Sequence, residues 1–277
     1  MVDFSKRLNK NKDTQMAKNE VEIKKDAPLP MVMDFEQDEG GGLNNLNAQD
    51  YAIPFIGILQ SLSPQVKPVK AGGLEGAKIG MIFNTVTKEL IDGDEGIDVI
   101  PCAYQKKWIE WKPRSAGGGF VKQHDTEDIM RSTTPDAKND NYLPNGNTVV
   151  PTANYFVIII KKGVPETAVL SMTKTQITKS KKWNSIMSAI KFVKKDGVSL
   201  YTPPMYSHKY RLTTIEQEKS GFSWYGWEIS NLGKLTDAEA PLYALAKKLN
   251  SEVEAGMVKA KPNSDEALSQ DSVSEVM

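Results

Sequence analysis

A run of lysine and hydroxyl side chains around one tryptophan extends from Leu170 to Asn184. Lysines pair with phosphate oxygens, hydroxyls donate hydrogen bonds to them, and an aromatic ring can stack on a base. The run lies inside a wider basic block that is opposed only by Glu166 and Asp196. The basic residues of this block are Lys161, Lys162, Lys174, Lys179, Lys181, Lys182, Lys191, Lys194, Lys195, Lys209 and Arg211. These residue types suit contact with a polyanion.

Charge is segregated along the chain, although the formal net charge is zero, with 35 basic and 35 acidic residues. Binding of phosphates requires a local positive field and not a positive total. After Lys261 no basic residue follows, and the acidic residues are Asp265, Glu266, Asp271 and Glu275. We therefore predict a flexible acidic tail, and two roles stay open for it: a solubilising end or a partner-binding segment.

Aromatic and basic side chains alternate along the segment Ile97–Trp111, which predicts a long strand. Because side chains alternate between the two faces of a strand, one face carries Tyr104, Lys106, Trp108, Glu110 and Lys112. Lys106 and Lys112 are phosphate-binding candidates, and Trp108 is a candidate for stacking on bases. The alternative for Trp108 is a place at the edge of the core, because tryptophans are strongly buried on average.

A second alternating pattern predicts a hairpin, with strands over Tyr206–Ile215 and Phe222–Ile229. On the first strand Lys209 and Arg211 either bind phosphates or form the solvated face of a half-buried strand. On the second strand the face that carries Tyr225 is the better core candidate. Trp224 on the opposite face is therefore predicted to be the more exposed indole and a second stacking candidate.

Residues 173–192 predict an amphipathic helix inserted between the strands, with an apolar stripe of Trp183, Ile186, Met187 and Ile190. Since Trp183 lies about 200° around the helix from Lys181, we expect the indole to point into the core. The lysines of the opening run remain phosphate-binding candidates: Lys174, Lys179, Lys181 and Lys182. A last helix is predicted over 235–254, again from its apolar stripe.

Signatures of catalysis are weak in this chain. One cysteine, Cys102, and two histidines, His124 and His208, provide too few ligands for a zinc site. The glycine-rich segment 72–80 fits neither a phosphate-binding loop nor a dinucleotide-binding fingerprint. We expect neither an enzyme nor a cofactor.

A magnesium site is the weakest of the hypotheses that the sequence allows. Asp125, Glu127 and Asp128 offer carboxylates of the kind that bind this ion. Carboxylates this close in a polar segment are more often solvated charges, and we therefore predict no metal site.

Composition divides the chain into three parts. Residues 1–48 are predicted to form a disordered arm, residues 49–255 one nucleic-acid-binding domain, and residues 256–277 the acidic tail. No run of about 18 apolar residues predicts a membrane span, and the start lacks the apolar stretch of a secretory signal. We expect an intracellular, soluble protein that is mainly β with helices: a small barrel or an open sheet with an inserted helix and a C-terminal helix.

Three segments together resemble those of bacteriophage single-stranded DNA-binding proteins: residues 53–64 (IPFIGILQSLSP), residues 170–184 (LSMTKTQITKSKKWN) and residues 223–227 (SWYGW). The resemblance implies an oligonucleotide/oligosaccharide-binding (OB) fold that holds single strands by stacking and by a basic groove. It also implies a role in phage DNA replication or recombination, in the cytoplasm of the infected bacterium. The implied partners are single-stranded DNA and replication proteins that the acidic tail recruits; whether copies of the chain form a homo-oligomer stays open.

Two other functions remain open at this point. One is a non-catalytic structural or partner-binding phage protein, in which the basic block meets an acidic protein surface. The other, weaker one is a metal-dependent nuclease built on the carboxylates near Asp125. The acidic tail ends without an aromatic residue, which weakens the case for recruitment through it.

Overall fold

The computed structural model describes residues 35–46, 50, 52–137, 140–219 and 221–260. The first nine strands in this part of the chain are β1 (Phe55–Ile58), β2 (Ile82–Asn84), β3 (Leu90–Ile91), β4 (Ile97–Trp111), β5 (Phe120–His124), β6 (Thr134–Pro135), β7 (Asn141–Tyr142), β8 (Thr148–Lys161) and β9 (Val164–Thr173). They are followed by α1 (Gln176–Ala189), β10 (Phe192–Val193), β11 (Leu200–Tyr201), β12 (His208–Lys219), β13 (Phe222–Lys234) and α2 (Ala240–Glu254).

Most of the predicted arm and tail lies outside the described residues. Residues 35–45 belong to a separate N-terminal unit and form a series of turns. The strands and helices belong to the second unit, which begins at Leu46. The domain boundaries expected from composition stay a prediction.

Eight strands form one strongly curled half-barrel sheet in the order β13-β12-β4-β8-β9-β1-β2-β3. The sheet is mixed, because β1 and β9 run parallel with Ile56 opposite Leu170, whereas the other pairs are antiparallel. The short strands β5, β6 and β7 are attached beside this path. The prediction of a mainly β fold with an inserted helix and a C-terminal helix is confirmed.

Successive side chains of β4 point to opposite faces of the sheet, the concave face and the convex face. Val99 belongs to the core cluster on the concave face, whereas Ile100 and Cys102 belong to the cluster on the convex face. A bulge between Pro101 and Ala103 shifts this alternation by one residue. Tyr104 therefore lies opposite Tyr155 on the concave face.

Two apolar clusters lie on the two faces of the sheet. The concave face packs against α1, whose buried anchor is Trp183, and the convex face packs against α2. The buried residues that α2 contributes are Ala246, Leu249 and Val253. Each helix therefore covers one face of the sheet, as a half-barrel that is apolar on both faces requires.

Helix α1 is shorter than the segment predicted for it. It begins at Gln176 because Lys174 has a left-handed φ of 47°, and it ends before Ile190, whose ψ is 129°. The inward orientation of Trp183 is confirmed, since the side chain is 1% exposed. Its ring lies 4.5 Å from that of Tyr155.

Side-chain amides complete the hydrogen bonding of β13, which lies at one end of the sheet order. Gln60 accepts a bond from Tyr225 N (3.0 Å) and donates one to Tyr225 O (2.8 Å). Gln176 Oε1 accepts a bond from Trp227 N (3.0 Å). The backbone groups of this strand edge thus bind side chains instead of another strand, which limits edge-to-edge association.

Two buried tyrosines are expected to respond differently to loss of the hydroxyl. Tyr155 Oη donates to Asn184 Oδ1 (2.8 Å) and lies 2.8 Å from Ser180 Oγ, whereas the buried Tyr210 Oη has no partner among the described residues. We expect Tyr155→Phe to lower the free energy of unfolding by about 1–3 kcal/mol, because it leaves buried polar groups unpaired. Tyr210→Phe should change it by less than about 0.5 kcal/mol.

Urea denaturation of both variants measures this difference. Burial raises the pKa of both phenols, that of Tyr210 to about 12, so both stay neutral near pH 7. Equal losses in the two variants would contradict the assignment of these hydrogen bonds.

Candidate nucleic-acid interface

The concave face of β4 extends beyond the part that α1 covers, and here it carries an aromatic and basic strip. We call Tyr104, Lys106 and Trp108, with Lys122 of β5, the concave strip. Lys122 lies opposite Glu110 in the register of β4 and β5, and so it shares a face with the other three residues. Tyr104 is 39% exposed, and Lys106 and Lys122 are exposed as well. The predicted grouping of these β4 side chains on one face agrees with the strand register.

The tryptophan of the concave strip is less accessible than the tyrosine. Trp108 is 7% exposed, and Lys106 Nζ lies 4.9 Å from the centroid of its ring. In this cation–π contact the lysine covers the ring face that would stack on a base. The accessible ring of the strip is that of Tyr104. Lys112, predicted on the same face, is exposed just beyond the end of β4.

Helix α1 lies next to the concave strip. The ring of Tyr155 is 5.1 Å from that of Tyr104, and its hydroxyl binds Ser180 and Asn184 of α1. Lys181 and Lys182, on the same helix, are exposed and have no ion-pair partner among the described residues. Tyr104 is therefore close to α1, which carries two lysine ammonium groups without an ion-pair partner among the described residues.

Four of the predicted phosphate-binding side chains form ion pairs within the chain. Their partners are separated in sequence, and three of the pairs have N···O distances between 2.6 and 2.9 Å. The pairs are Lys174 with Asp140, Lys179 with Glu228, Arg211 with Asp98, and Lys209 with Glu239. Because each positive charge faces a carboxylate, these four residues contribute less to a positive field than their sequence block indicates.

Trp224 is more exposed than Trp227, as predicted, but both indoles of β13 are buried, at 8% and 2%, which leaves Trp224 little surface for stacking on a base. The Nε1 of Trp224 donates to Gln217 Oε1 (3.0 Å). Trp224 lines a cleft together with Phe55 and Gln65, so this face of β13 is covered by the chain around β1. A two-face interpretation of the hairpin missed this cover, because it assumes that one face meets water.

The hairpin of β10 and β11 adds basic and aromatic side chains that the predicted site omitted. Lys194 and Lys195 are exposed at its turn, and Tyr201 is exposed on β11, where its ring lies 5.9 Å from that of Phe192. The signal for this hairpin was the sequence Asp196-Gly, which is typical of tight turns. Gly197 has a left-handed φ of 74°, and Lys194 N donates to Ser199 O (2.7 Å).

Near its end, β4 carries a buried carboxylate that binds groups of the polar connection between β4 and β8. Glu110 accepts a bond from Asn147 Nδ2 (2.6 Å) and lies 2.9 Å from His124 Nε2. Burial alone would raise the pKa of Glu110, but the hydrogen bonds from Asn147 and His124 outweigh it and lower the pKa. Glu110 is thus an ionised structural group that fixes β5 against β4.

Two of the three carboxylates of the magnesium hypothesis form ion pairs with basic side chains. Asp125 Oδ1 lies 2.6 Å from Lys107 Nζ, and this contact lowers the pKa of the carboxyl. Asp128 pairs with Arg131 at 3.4 Å. Across the part of the chain that the structure describes, no three His, Cys, Asp or Glu side chains are grouped to hold a metal ion.

Cys102 is buried in the convex cluster, and burial raises the pKa of its thiol to about 12, which disfavours a reactive thiolate. Among the described residues no helix is long and apolar enough to cross a membrane.

A protein-family model described as "Pam3 phage gp34-like protein" matches residues 22–259. This match includes every strand and both helices. No curated protein and no solved structure matches the chain significantly.

Proposed function

The chain belongs to the Pam3 phage gp34-like protein family, and from this premise we propose that it binds single-stranded DNA with little sequence preference. The proposed role is to hold single strands during phage DNA replication or recombination, without catalysis. The binding surface is the concave strip together with the exposed side of α1.

One observation carries this proposal: an exposed aromatic ring adjoins two sources of positive charge that have no ion-pair partner among the described residues. Tyr104 is flanked along β4 by Lys106, and through Tyr155 it adjoins the helix that carries Lys181 and Lys182. Phosphates can lie along the lysines while a base stacks on the tyrosine. Stacking on an aromatic ring contributes about 1–3 kcal/mol per base, and it tolerates every base because each has a π-face.

The same arrangement accounts for a preference for single strands. In a duplex the base faces are stacked on each other, so Tyr104 would find no free face to bind. Lysines alone bind any polyanion, and their contribution weakens as salt rises because counterion release becomes less favourable. The lysines would thus bind any nucleic acid, and stacking on Tyr104 of the concave strip would favour single strands over duplexes.

A partner-binding role is the second candidate, and the hairpin of β10 and β11 favours it. Val193, Val198 and Leu200 are 58%, 85% and 61% exposed, next to Lys194 and Lys195. Exposed apolar side chains beside lysines suit a protein surface with acidic and apolar residues. This role predicts no preference for single strands.

Fluorescence anisotropy with a labelled oligothymidylate of about 16 nucleotides tests the proposal. We expect binding to the single strand that weakens between about 50 mM and about 200 mM salt, and weaker binding to a duplex of the same length. The oligonucleotide should stay intact with magnesium present. Absence of binding would favour the partner-binding role, and cleavage that a chelator abolishes would favour a nuclease.

A further inference from the structure

A cleft opens where the parallel strands β1 and β9 separate. The two strands pair at Phe55 with Val169 and at Ile56 with Leu170, and no pairing follows beyond these positions. After this point Gly57 of β1 and Ser171 of β9 both line the cleft, and Trp224 and Tyr225 of β13 line it as well. The cleft is therefore bounded by strands and by the segment that leads into α1.

Among the described residues, the buried polar side-chain atoms that line the cleft have partners within the protein, with one exception. The amides of Gln60 and Gln176 bind the backbone of β13, and Lys174 Nζ binds Asp140 Oδ1 (2.9 Å). The buried Gln65 Oε1 has no hydrogen-bond partner within the described part of the chain. A buried acceptor left unpaired is destabilising, so a ligand whose entry turns the Gln65 amide toward the cleft and donates a hydrogen bond to it recovers this cost.

The chemistry of the cleft excludes some ligands and favours one class. Of the described residues that line it, Lys174 alone carries an ammonium group, and this group is paired with Asp140, so a phosphate inside the cleft would lack a free cation from this part of the chain. The aromatic side chains of Trp224, Tyr225 and Trp227 suit a flat, apolar ring. Nucleobases are flat rings that carry N–H donors on one edge.

We propose that this cleft binds one unpaired nucleobase, through contact with the aromatic side chains and a hydrogen bond to Gln65. The inference rests on the proposed function and deepens it. Thr175 and Gln176 line the cleft at the start of α1, the helix on which Lys181 and Lys182 follow. A strand whose phosphates lie along α1 can thus place a base in the cleft, whereas a paired base cannot enter it.

The test compares two oligothymidylates of equal length, one intact and one whose bases are largely replaced by abasic sites. Gln65→Leu should weaken binding of the intact strand about tenfold and leave binding of the abasic strand unchanged. The matched control is Gln123→Leu. Gln123 Oε1 is also buried without a partner among the described residues, but it lies on β5 and does not line the cleft.

Thermal unfolding with and without free thymidine shows whether the cleft binds a free nucleoside as well as a base within a strand. Both leucine variants should unfold close to the temperature of the unmodified protein, since each removes an unpaired buried acceptor, and Gln123→Leu loses in addition only a hydrogen bond to the exposed Asp125. The inference is overturned if Gln65→Leu binds the intact strand normally, or weakens binding of both strands equally. If the unmodified protein binds no strand, the proposed function fails, and stabilisation by thymidine that Gln65→Leu abolishes would still support the cleft.

Discussion

Replacing Trp183 with alanine is expected to lower the free energy of unfolding by about 3–5 kcal/mol. The indole is 1% exposed and lies against the rings of Tyr155 (4.5 Å) and Tyr210 (5.4 Å). Its removal leaves a cavity between α1 and the concave face of the sheet, and surrounding side chains can fill such a cavity only in part. Urea denaturation followed by circular dichroism measures the loss.

The control for this substitution is Lys182→Ala, one residue away on the exposed side of α1. It should change the free energy of unfolding by less than about 0.5 kcal/mol. A loss below about 1 kcal/mol for Trp183→Ala would contradict the view that this tryptophan anchors α1 to the sheet.

Combined replacement of Lys181 and Lys182 by alanine is expected to give the largest loss of DNA affinity. Each lysine–phosphate contact to a single strand contributes about 0.7 to the slope of log K against log salt. Loss of two contacts should therefore reduce the slope by about 1.4, which corresponds to a roughly 25-fold weaker affinity near 0.1 M salt. Anisotropy titrations of the labelled single strand over a range of salt concentrations measure both quantities.

An adjacent pair of lysines on α2, Lys247 and Lys248, provides the matched control. Both side chains are exposed, and α2 packs on the convex face of the sheet, so their replacement removes the same charge from the other side. We expect nearly unchanged affinity and slope. Equal effects of the two double variants would show that net charge, and not the α1 surface, controls binding.

Much of the fold could be predicted from alternation. The strand Ile97–Trp111 was predicted with its observed bounds, because its β-branched and aromatic residues lie between a glycine and a proline. The helical stripe around Trp183 predicted the buried side of α1, since a helix repeats every 3.6 residues. Both patterns are local, and so they do not depend on the rest of the chain.

Pairing of charges could not be predicted, because it depends on contacts between distant segments. Arg211 and Asp98 are 113 residues apart, yet they form a bidentate pair across β12 and β4. Lys179 and Glu228 are separated by 49 residues. A count of lysines along the sequence therefore overestimates the free positive charge of this surface.

The hydrogen bonds at the edge of β13 could not be predicted from the sequence either. Gln60 binds Tyr225 across a separation of 165 residues, and the cover over Trp224 comes from the chain around β1. Neither glutamine nor tryptophan has a sequence signal that identifies its partner. The cleft is formed by segments far apart in the sequence, so the sequence alone could not predict it.

Competition between single and double strands tests the central proposal most directly. A labelled oligothymidylate is bound to the unmodified protein at about 50 mM salt, and unlabelled single strand or duplex of equal length is then added. We predict that the single strand displaces the label at a concentration at least about tenfold lower than the duplex does, because only the single strand offers free base faces. Displacement by both competitors at the same concentration would contradict the proposal.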